Sequence, residues 1–214
     1  VDLDRAQWDE VIGIIREREL IPFLDLAYQG FGDGLDEDVY PIRALAEAGV
    51  PFLVASSFSK SFSLYRERVG ALTVVTVSEE EAGRVLSQLK RTVRALYSSP
   101  PAHGGQVVAA VLGSPESRIA WETELTGMRE RIRTMRRGFV AGLRERLPER
   151  DFGFIERQRG MFSYSGLSVE VVRRLRDEWH VYALDSGRIC VAALNERNLP
   201  YVCDAVAAAI KAVG

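Results

Sequence analysis

The chain contains few of the residues that build disulfide frameworks and metal sites. Its 214 residues include two cysteines, Cys190 and Cys203, without CxxC spacing, and two histidines, His103 and His180, that lie far apart. These spacings exclude a disulfide-stapled domain and a structural zinc site. Both cysteines lie in apolar segments, and we expect both to be buried. The expected location is a reducing compartment, the cytoplasm.

The chain also lacks an excess of charge of one sign and a long apolar run. Lys and Arg number 28 against 30 Asp and Glu, which gives a formal net charge of -2. This balance provides no electrostatic basis for binding nucleic acid or a membrane surface. No apolar run is long enough to span a bilayer. Apolar residues make up 47% of the chain, which is ordinary for a globular chain that buries a core.

Hydrophobic periodicity predicts an α/β layer in the first part of the chain. Apolar strands alternate there with amphipathic helices, which favours a largely parallel sheet. The predicted elements are a helix over 4–19, a strand over 21–26, a helix over 38–48, strands over 52–55 and 70–77, and a helix from Ser78 to about Tyr97.

The second part of the chain has the pattern of a smaller α+β domain. Apolar residues recur three and four apart over 121–143, which predicts a long amphipathic helix. We place a domain boundary within this helix, so that the two domains span 1–126 and 127–214. The other predicted elements are strands over 152–155, 161–164, 181–184 and 188–192, and helices over 169–179 and 197–212.

Lys60 is the first candidate for chemistry, because it follows a predicted buried strand through Ser57 and Ser59. Ligands of open α/β sheets collect beyond the carboxyl ends of strands, where a lysine with a depressed pKa acts as a Schiff-base nucleophile. Arg68 lies eight residues further on, and hydroxyls with an arginine suit a phosphate-bearing cofactor. A solvated surface lysine is the simpler alternative, and Lys60 taken alone favours it.

Asp25 and Tyr28 are the second candidates. Asp25 ends an otherwise apolar strand, where a carboxylate is costly unless it is paired. A pyridinium N–H is one suitable partner, and Tyr28 has a hydroxyl that can donate to a neighbouring phenolate oxygen. The alternative is an aspartate that caps local backbone N–H groups beside a packed tyrosine.

Five segments occur in one order along the chain: DLAYQGF (25–31), SSFSK (56–60), LYRERVG (64–70), YSSPP (97–101) and SGR (186–188). Their order and spacing resemble the aspartate/aromatic branch of the class I aminotransferases, which have fold type I and depend on pyridoxal 5'-phosphate (PLP). The segments GRVLSQLK (83–90) and RGMFSY (159–164) resemble the bacterial tyrosine (aromatic) enzymes of that branch. The resemblance implies part of a large α/β/α PLP-binding domain over 1–126 and part of a small α+β domain over 127–214.

The resemblance implies a cofactor role for five matching positions. Lys60 is expected to form a Schiff base with PLP and to move the substrate proton. Asp25 is expected to pair with the pyridine nitrogen, and Tyr28 to hydrogen-bond the phenolic oxygen. Ser57 and Arg68 are expected to hold the phosphate.

The resemblance also implies substrate-binding residues. Arg188 is expected to bind the α-carboxylate through a bidentate fork. Arg94 is expected to reach into the neighbouring subunit of a homodimer and to bind the side-chain carboxylate of a dicarboxylic substrate. Phe162 is expected to line the mouth of the site. Two residues depart from the family pattern, namely Asp185, which either pairs with a nearby arginine or faces solvent, and Leu96.

The implied reaction is transamination of aromatic and/or dicarboxylic L-amino acids with a 2-oxo acid such as 2-oxoglutarate. Chains of this family are nearly twice as long, so we expect these residues to be the C-terminal portion of an enzyme and to be inactive alone. One alternative is aspartate aminotransferase proper, and another is a truncated, non-catalytic binding module. A third is a different fold-type I enzyme, such as a carbon–sulfur lyase, against which Arg94 and the segment 97–101 count.

Overall fold

A computed structural model describes residues 2–214. The described chain divides into two compact units, one formed by Leu3–Thr126 and the other by Asp2 together with Gly127–Gly214. Each unit is described separately below. The assignment of 1–126 to a PLP-binding domain and of 127–214 to a small domain stays a prediction.

The first unit combines helices with a three-stranded sheet. Helix α1 begins after Asp4, whose carboxylate accepts the backbone N–H of Gln7 at 2.9 Å while the Gln7 side chain accepts that of Asp4 at 3.0 Å. This reciprocal pair satisfies two N–H groups that would otherwise lack partners. The elements are α1 (Arg5–Glu17), β1 (Phe23–Leu26), α2 (Tyr40–Glu47), β2 (Phe52–Ser57), β3 (Gly70–Val75), α3 (Glu79–Leu96), α4 (His103–Gly113) and the first part of α5 (Pro115–Arg146).

The sheet has mixed strand directions, so the expectation of a largely parallel sheet is wrong. Strands β1 and β2 are parallel, whereas β2 and β3 are antiparallel. The reason is that no helix connects β2 to β3, as a parallel crossover normally requires. Instead, Phe58 donates its backbone N–H to the carbonyl of Val69 at 3.2 Å, which continues the antiparallel ladder into a long hairpin loop.

The core of the first unit lies between one face of the sheet and helices α1 and α2. Its buried members are Ile12, Ile15, Leu45, Val50, Phe52 and Val54. In β1, Leu24 and Leu26 pack against this cluster, whereas the alternate residues Phe23 and Asp25 are exposed. Alternate side chains of a strand point to opposite faces, so β1, whose apolar run favours a buried strand, is covered on one face only.

The second unit is built on the later part of α5. Gly142 and Gly138 let helix α8 approach closely, because an added Cβ would lie 2.7 Å from Cys203 Sγ and 2.8 Å from Leu199 Cδ2, respectively. The other elements are α6 (Gly153–Glu156), β4 (Phe162–Tyr164), α7 (Val169–Trp179), β5 (Arg188–Cys190), a 3₁₀ turn (Val191–Ala193) and α8 (Leu199–Val213). Strands β4 and β5 pair antiparallel.

Two predicted strands are absent from the second unit. Residues 152–155 include the start of helix α6 instead, because the Asp151 carboxylate accepts the Gly153 N–H at 2.7 Å and closes a local turn. Residues 181–184 have no strand partner. The chain turns back there, since Gly187 donates to the carbonyl of Leu184 at 2.8 Å. Short apolar runs do not distinguish these outcomes by periodicity.

The two cysteines have different environments. Cys203 is buried, as predicted, but Cys190 is exposed. Cys190 lies in β5 next to the half-buried Ile189, and the alternation of a strand points neighbouring side chains to opposite faces. The prediction that both are buried is therefore wrong for Cys190. No helix within the described residues is long and apolar enough to cross a membrane.

Candidate cofactor and substrate site

The candidate cofactor residues leave the sheet at one edge. The parallel register pairs Asp25 with Ala55 and Leu26 with Ser56. The carboxyl ends of β1 and β2 therefore lie side by side, in the position where open α/β sheets bind ligands. Tyr28 follows β1 by two residues, and Lys60 follows β2 by three.

Lys60 and Tyr28 are in direct contact. The Nζ atom of Lys60 lies 4.8 Å from the centroid of the Tyr28 ring, a distance at which the ring face attracts a cation. Both residues are half-buried. Among residues 2–214, the Lys60 amine and the Asp25 carboxylate have no hydrogen-bond or ion-pair partner. Both groups are therefore available to a ligand.

Ser57 and Arg68 add hydrogen-bonding capacity beside the lysine. Ser57 Oγ accepts the Ser59 N–H at 3.2 Å, which leaves the hydroxyl proton for another acceptor. Arg68 is exposed and donates one N–H to the carbonyl of Tyr65 at 2.8 Å, so the rest of its five donors remain available. Arg68 has a φ of 51°, a left-handed conformation that persists in non-glycine residues only where the surroundings enforce it.

Helix α4 supports the segment that contains Arg68. The Glu67 carboxylate lies within hydrogen-bonding distance of the His103 ring, with Oε2 and Nδ1 3.0 Å apart. Gly104 packs directly on this segment, because an added Cβ would lie 2.9 Å from Glu67 Cβ and 3.1 Å from Val69 Cβ. His103 is the first residue of α4, and its contact with Glu67 was not predicted. Sequence spacing contains no signal for a pair 36 residues apart.

Asp38 organises the loop that follows Tyr28. Its carboxylate accepts three backbone N–H groups, from Gly30 at 2.8 Å, Gly32 at 3.0 Å and Asp33 at 2.8 Å. Carboxylates that accept backbone N–H groups form strong, charge-assisted hydrogen bonds. The glycine-rich segment is therefore a fixed loop, a role for Asp38 that the sequence did not reveal.

Trp121 was assigned to a core stripe from its spacing, and the structure gives it a polar contact as well. Its indole Nε1–H donates to the carbonyl of Ser61 at 2.7 Å, and its ring stacks on Phe62 with centroids 4.5 Å apart. Both partners lie within two residues of Lys60. Trp121 is thus a neighbour of the candidate site that sequence reasoning missed.

In the second unit, Arg188 lies against Phe162. The guanidinium carbon of Arg188 is 4.9 Å from the centroid of the Phe162 ring, and both side chains are exposed. The antiparallel pair β4–β5 brings them together, since Tyr164 faces Arg188 and Phe162 faces Cys190 in the register. The Arg188 guanidinium has no hydrogen bond or ion pair with the described residues, so its fork is open to a carboxylate.

A buried arginine holds the start of β4. Arg136 is 3% exposed and donates to the carbonyl of Gly160 and, at 3.3 Å, to Ser163 Oγ. Burial lowers the pKa of Arg136, a shift that Asp2 opposes and Arg133 adds to. Because Gly160 and Ser163 flank Phe162, Arg136 supports the strand that faces Arg188.

Two further predicted positions lie on helix ends and turns. Arg94 is in the last turn of α3, where it is exposed and donates to Ser98 Oγ at 2.6 Å. Asp185 pairs with Arg176 at 2.5 Å and lies 3.9 Å from Arg173. Of the two alternatives for Asp185, the structure therefore supports pairing with a nearby arginine.

The residues beside the sheet form a donor set, a group of five polar side chains that together could bind one ligand. It combines an amine, a carboxylate, a phenol and hydroxyl and guanidinium donors, from Lys60, Asp25, Tyr28, Ser57 and Arg68. This set fits a ligand with a carbonyl, a protonated ring nitrogen and a phosphate. Among the described residues no group of His, Cys, Asp and Glu is arranged to hold a metal ion.

Known proteins match the chain over almost its full length. The family described as aminotransferase class I and II matches residues 1–206. The chain is 54% identical over 206 residues to an aspartate aminotransferase of Pseudomonas aeruginosa, covering 96% of this chain and 52% of that protein. It is 57% identical over 207 residues to an aromatic-amino-acid aminotransferase of Escherichia coli, covering 97% and 52%.

A solved structure of the same kind shares the fold. The aromatic-amino-acid aminotransferase from Burkholderia pseudomallei, covalently bound to pyridoxal phosphate, matches with a TM-score of 0.96 and 58% identity, over 98% of this chain and 52% of that chain. The fold-type I expectation is thereby confirmed. The chain spans about half the length of the curated relatives it matches, in agreement with the expected length of family members. By these matches, the chain belongs to the class I and II aminotransferase family.

Proposed function

We propose that this chain carries the lysine of a PLP-dependent aminotransferase. The enzyme transfers the amino group of aromatic or dicarboxylic L-amino acids to a 2-oxo acid such as 2-oxoglutarate. The observation that carries the proposal is the contact between the Lys60 amine and the Tyr28 ring, 4.8 Å away, beside the paired ends of β1 and β2. Relatives named for aspartate and for aromatic amino acids support both substrate classes.

The donor set of the first unit would hold PLP, which supplies an electron sink for bonds to the substrate Cα. The Asp25 carboxylate would accept the ring N–H, and Tyr28 would donate its hydroxyl to the phenolic oxygen. Ser57 and Arg68 would bind the phosphate, for which an arginine fork gives two parallel charge-assisted bonds. The related enzyme from Burkholderia pseudomallei is covalently bound to pyridoxal phosphate, which supports this choice of cofactor.

Lys60 would act first as a nucleophile and then as a proton carrier. A lysine amine attacks a carbonyl carbon only when its lone pair is free. The same amine, once free, would take the proton from the substrate Cα as a general base and give a proton back as a general acid. One side chain on a short loop beside β2 would therefore do both tasks.

Arginines would select the substrate. Arg188 would bind the α-carboxylate with a bidentate fork while Phe162 supports its guanidinium face. Arg94, which donates to the neutral hydroxyl of Ser98, would bind a second carboxylate in aspartate or glutamate. This exposed arginine favours aspartate aminotransferase proper as the alternative specificity.

A homodimer is the proposed assembly, because Arg94 would act in the site of the neighbouring subunit. The cytoplasm remains the predicted location, based on cysteine usage. The competing proposal is a non-catalytic binding module. Such a module would not bind PLP at Lys60, and it would not convert amino acids.

Replacement of Lys60 tests the proposal in the whole protein that carries this sequence. We expect Lys60→Ala to lower kcat by about 10³-fold or more, because both the nucleophile and the proton carrier are lost. Borohydride reduction should fix PLP covalently on the unaltered protein, and peptide mass mapping should locate it on Lys60. The matched control is Lys90→Ala, since Lys90 is an exposed lysine of α3. Near-normal turnover without Lys60, or PLP fixed on Lys90, would contradict the assignment.

A further inference from the structure

We propose that Trp121 is a positioning residue for Lys60, a role that rests on the proposed function. Trp121 lies in the first part of α5, and it contacts the turn that carries Lys60 by two different interactions. It has no place in the donor set for the cofactor. Its contribution is to fix the direction in which the Lys60 side chain leaves the sheet.

The first interaction is a hydrogen bond next to the lysine. The indole Nε1–H donates to the carbonyl of Ser61, with nitrogen and oxygen 2.7 Å apart. Ser61 is 8% exposed, and a buried carbonyl without a partner is strongly disfavoured. The peptide between Ser61 and Phe62, the second peptide after Lys60, is therefore held in one orientation by the indole.

The second interaction is an aromatic cluster that brackets the lysine. The Phe62 ring stacks on Trp121 with centroids 4.5 Å apart and an interplanar angle of 21°. Phe58 meets Phe62 edge-on at 5.4 Å and 89°. Phe58 and Phe62 lie two residues before and two residues after Lys60, so the indole anchors both sides of the turn.

The turn needs this support because it belongs to no helix or strand. Its internal bonds run from Phe62 N–H to the Phe58 carbonyl at 3.2 Å and from Ser63 N–H to the Lys60 carbonyl at 3.1 Å. Ser63 has a φ of 56°, a conformation that a serine adopts only when its surroundings impose it. Such a turn can shift as a unit, and a misplacement of about 1 Å is enough to cost 10²-fold in rate.

The same face of α5 also contacts the Tyr28 loop. Leu125 lies one turn after Trp121 and is 1% exposed, and a Cβ added to Gly30 would overlap its side chain. Residues four apart share a helix face. Trp121 and Leu125 thus back the loops of β2 and β1, which keeps Lys60 in contact with Tyr28.

The test is Trp121→Phe in the whole protein, because phenylalanine keeps a ring for Phe62 and removes the N–H. We expect kcat per bound PLP to fall about 10- to 100-fold, with KM for the amino acid changed less than about 3-fold because the substrate arginines are untouched. The pH dependence of kcat and of the visible absorbance of bound PLP should shift, because both report the environment of the Lys60 amine.

The matched control is Trp179→Phe. Trp179 is half-buried and packs against Tyr201 at 6.0 Å, and its indole N–H has no partner among residues 2–214. Its replacement should leave kcat per bound PLP and both pH profiles unchanged. If Trp121→Phe does not fold, benzothienylalanine at position 121 replaces the N–H by sulfur at nearly the same shape, and the same losses are expected.

Three outcomes decide the question. A folded position-121 variant with a reduced kcat per bound PLP and shifted pH profiles supports the role. A variant that has only a lower melting temperature, with parental kcat per bound PLP and parental pH profiles, overturns it and leaves the proposed function intact. A parent protein that neither transaminates nor binds PLP at Lys60 overturns both proposals.

Discussion

At the residue scale, the two cysteines show how burial controls reactivity. Burial raises the pKa of the Cys203 thiol to about 11, and its Sγ packs against the Phe139 carbonyl at 3.8 Å. Cys190 is exposed on a strand. Because the thiolate is the nucleophile, the two thiols are expected to differ strongly in reactivity.

Alkylation should therefore separate them. In the native protein near pH 8, iodoacetamide is expected to modify Cys190 while Cys203 stays unmodified, and denaturation should expose both to the reagent. Peptide mass mapping over time measures the two rates, and a native Cys203 that reacts as fast as Cys190 would refute the assignment.

The raised pKa of Cys203 also makes the free energy of unfolding depend on pH, because the unfolded state loses this proton at a lower pH than the folded state. The contribution of this thiol is fully present below about pH 9, the unfolded value, and is lost as the pH rises towards about 11.

The sequence predicted individual residues where local position was sufficient. Lys60 and Tyr28 follow apolar strands, and Asp25 lies near the end of one, where open α/β sheets bind ligands. Their cofactor roles stay predictions. Trp121 was missed because a tryptophan in a helical apolar stripe is usually core, and its hydrogen-bond acceptor is 60 residues away. The exposure of Cys190 was missed because alternation along a strand decides it, and the surrounding residues are apolar on both sides.

At the element scale, the packing of α8 on α5 depends on a small residue. Gly142 is half-buried, and an added Cβ would lie 2.7 Å from Cys203 Sγ. Small-to-large changes in a well-packed contact force the neighbours to shift. The helix itself would favour alanine, so packing and propensity act in opposite directions at this position.

We expect Gly142→Ala to lower the free energy of unfolding by about 1–3 kcal/mol, since overpacking outweighs helix propensity. Gly127→Ala in the same helix is the control, because nothing described lies within 4 Å of its added Cβ, and it should raise stability by about 0.5–1 kcal/mol. Denaturant unfolding of the whole protein measures both. Equal changes for the two variants would show that packing against Cys203 contributes nothing.

Helices were predicted better than strands, for a local reason. Helix α7 spans Val169–Trp179, the predicted range, because the Ser168 hydroxyl caps one end and His180 leaves the other with a φ of 53°. The strands predicted over 152–155 and 181–184 failed because a strand exists only with a partner. The predicted strand direction was wrong for a similar reason. The direction of β3 relative to β2 depends on whether the segment between Ser57 and Gly70 forms a hairpin loop or a crossover.

At the scale of the whole molecule, the chain spans about half the length of its curated relatives. In the proposed homodimer, Arg94 would select substrate in the site of the neighbouring subunit. Arg94→Ala should reduce kcat/KM for dicarboxylic substrates about 10- to 100-fold or more, and for aromatic substrates much less, because only the dicarboxylates lose a charge-assisted pair.

Hybrid dimers test whether Arg94 acts across the interface. When Lys60→Ala and Arg94→Ala proteins are refolded together in equal amounts, a trans-acting Arg94 restores dicarboxylate activity in about a quarter of the sites, the statistical share for random pairing. Separately refolded and then mixed homodimers provide the control. No recovery in the co-refolded sample would mean that Arg94 serves the site of its own subunit or none.

The three hydrogen bonds that the Asp38 carboxylate accepts restrict how the sequence of this protein can vary. Position 30 accepts little but glycine, since φ is 89° and Leu125 fills the space, and a Cβ at position 32 would overlap Asp38 itself. Changing Asp38 would in turn remove a hydrogen bond from each of three backbone N–H groups. These positions form a mutational unit in which single steps are penalised, so laboratory selection for new substrates should leave the loop after Tyr28 intact and accumulate its changes elsewhere.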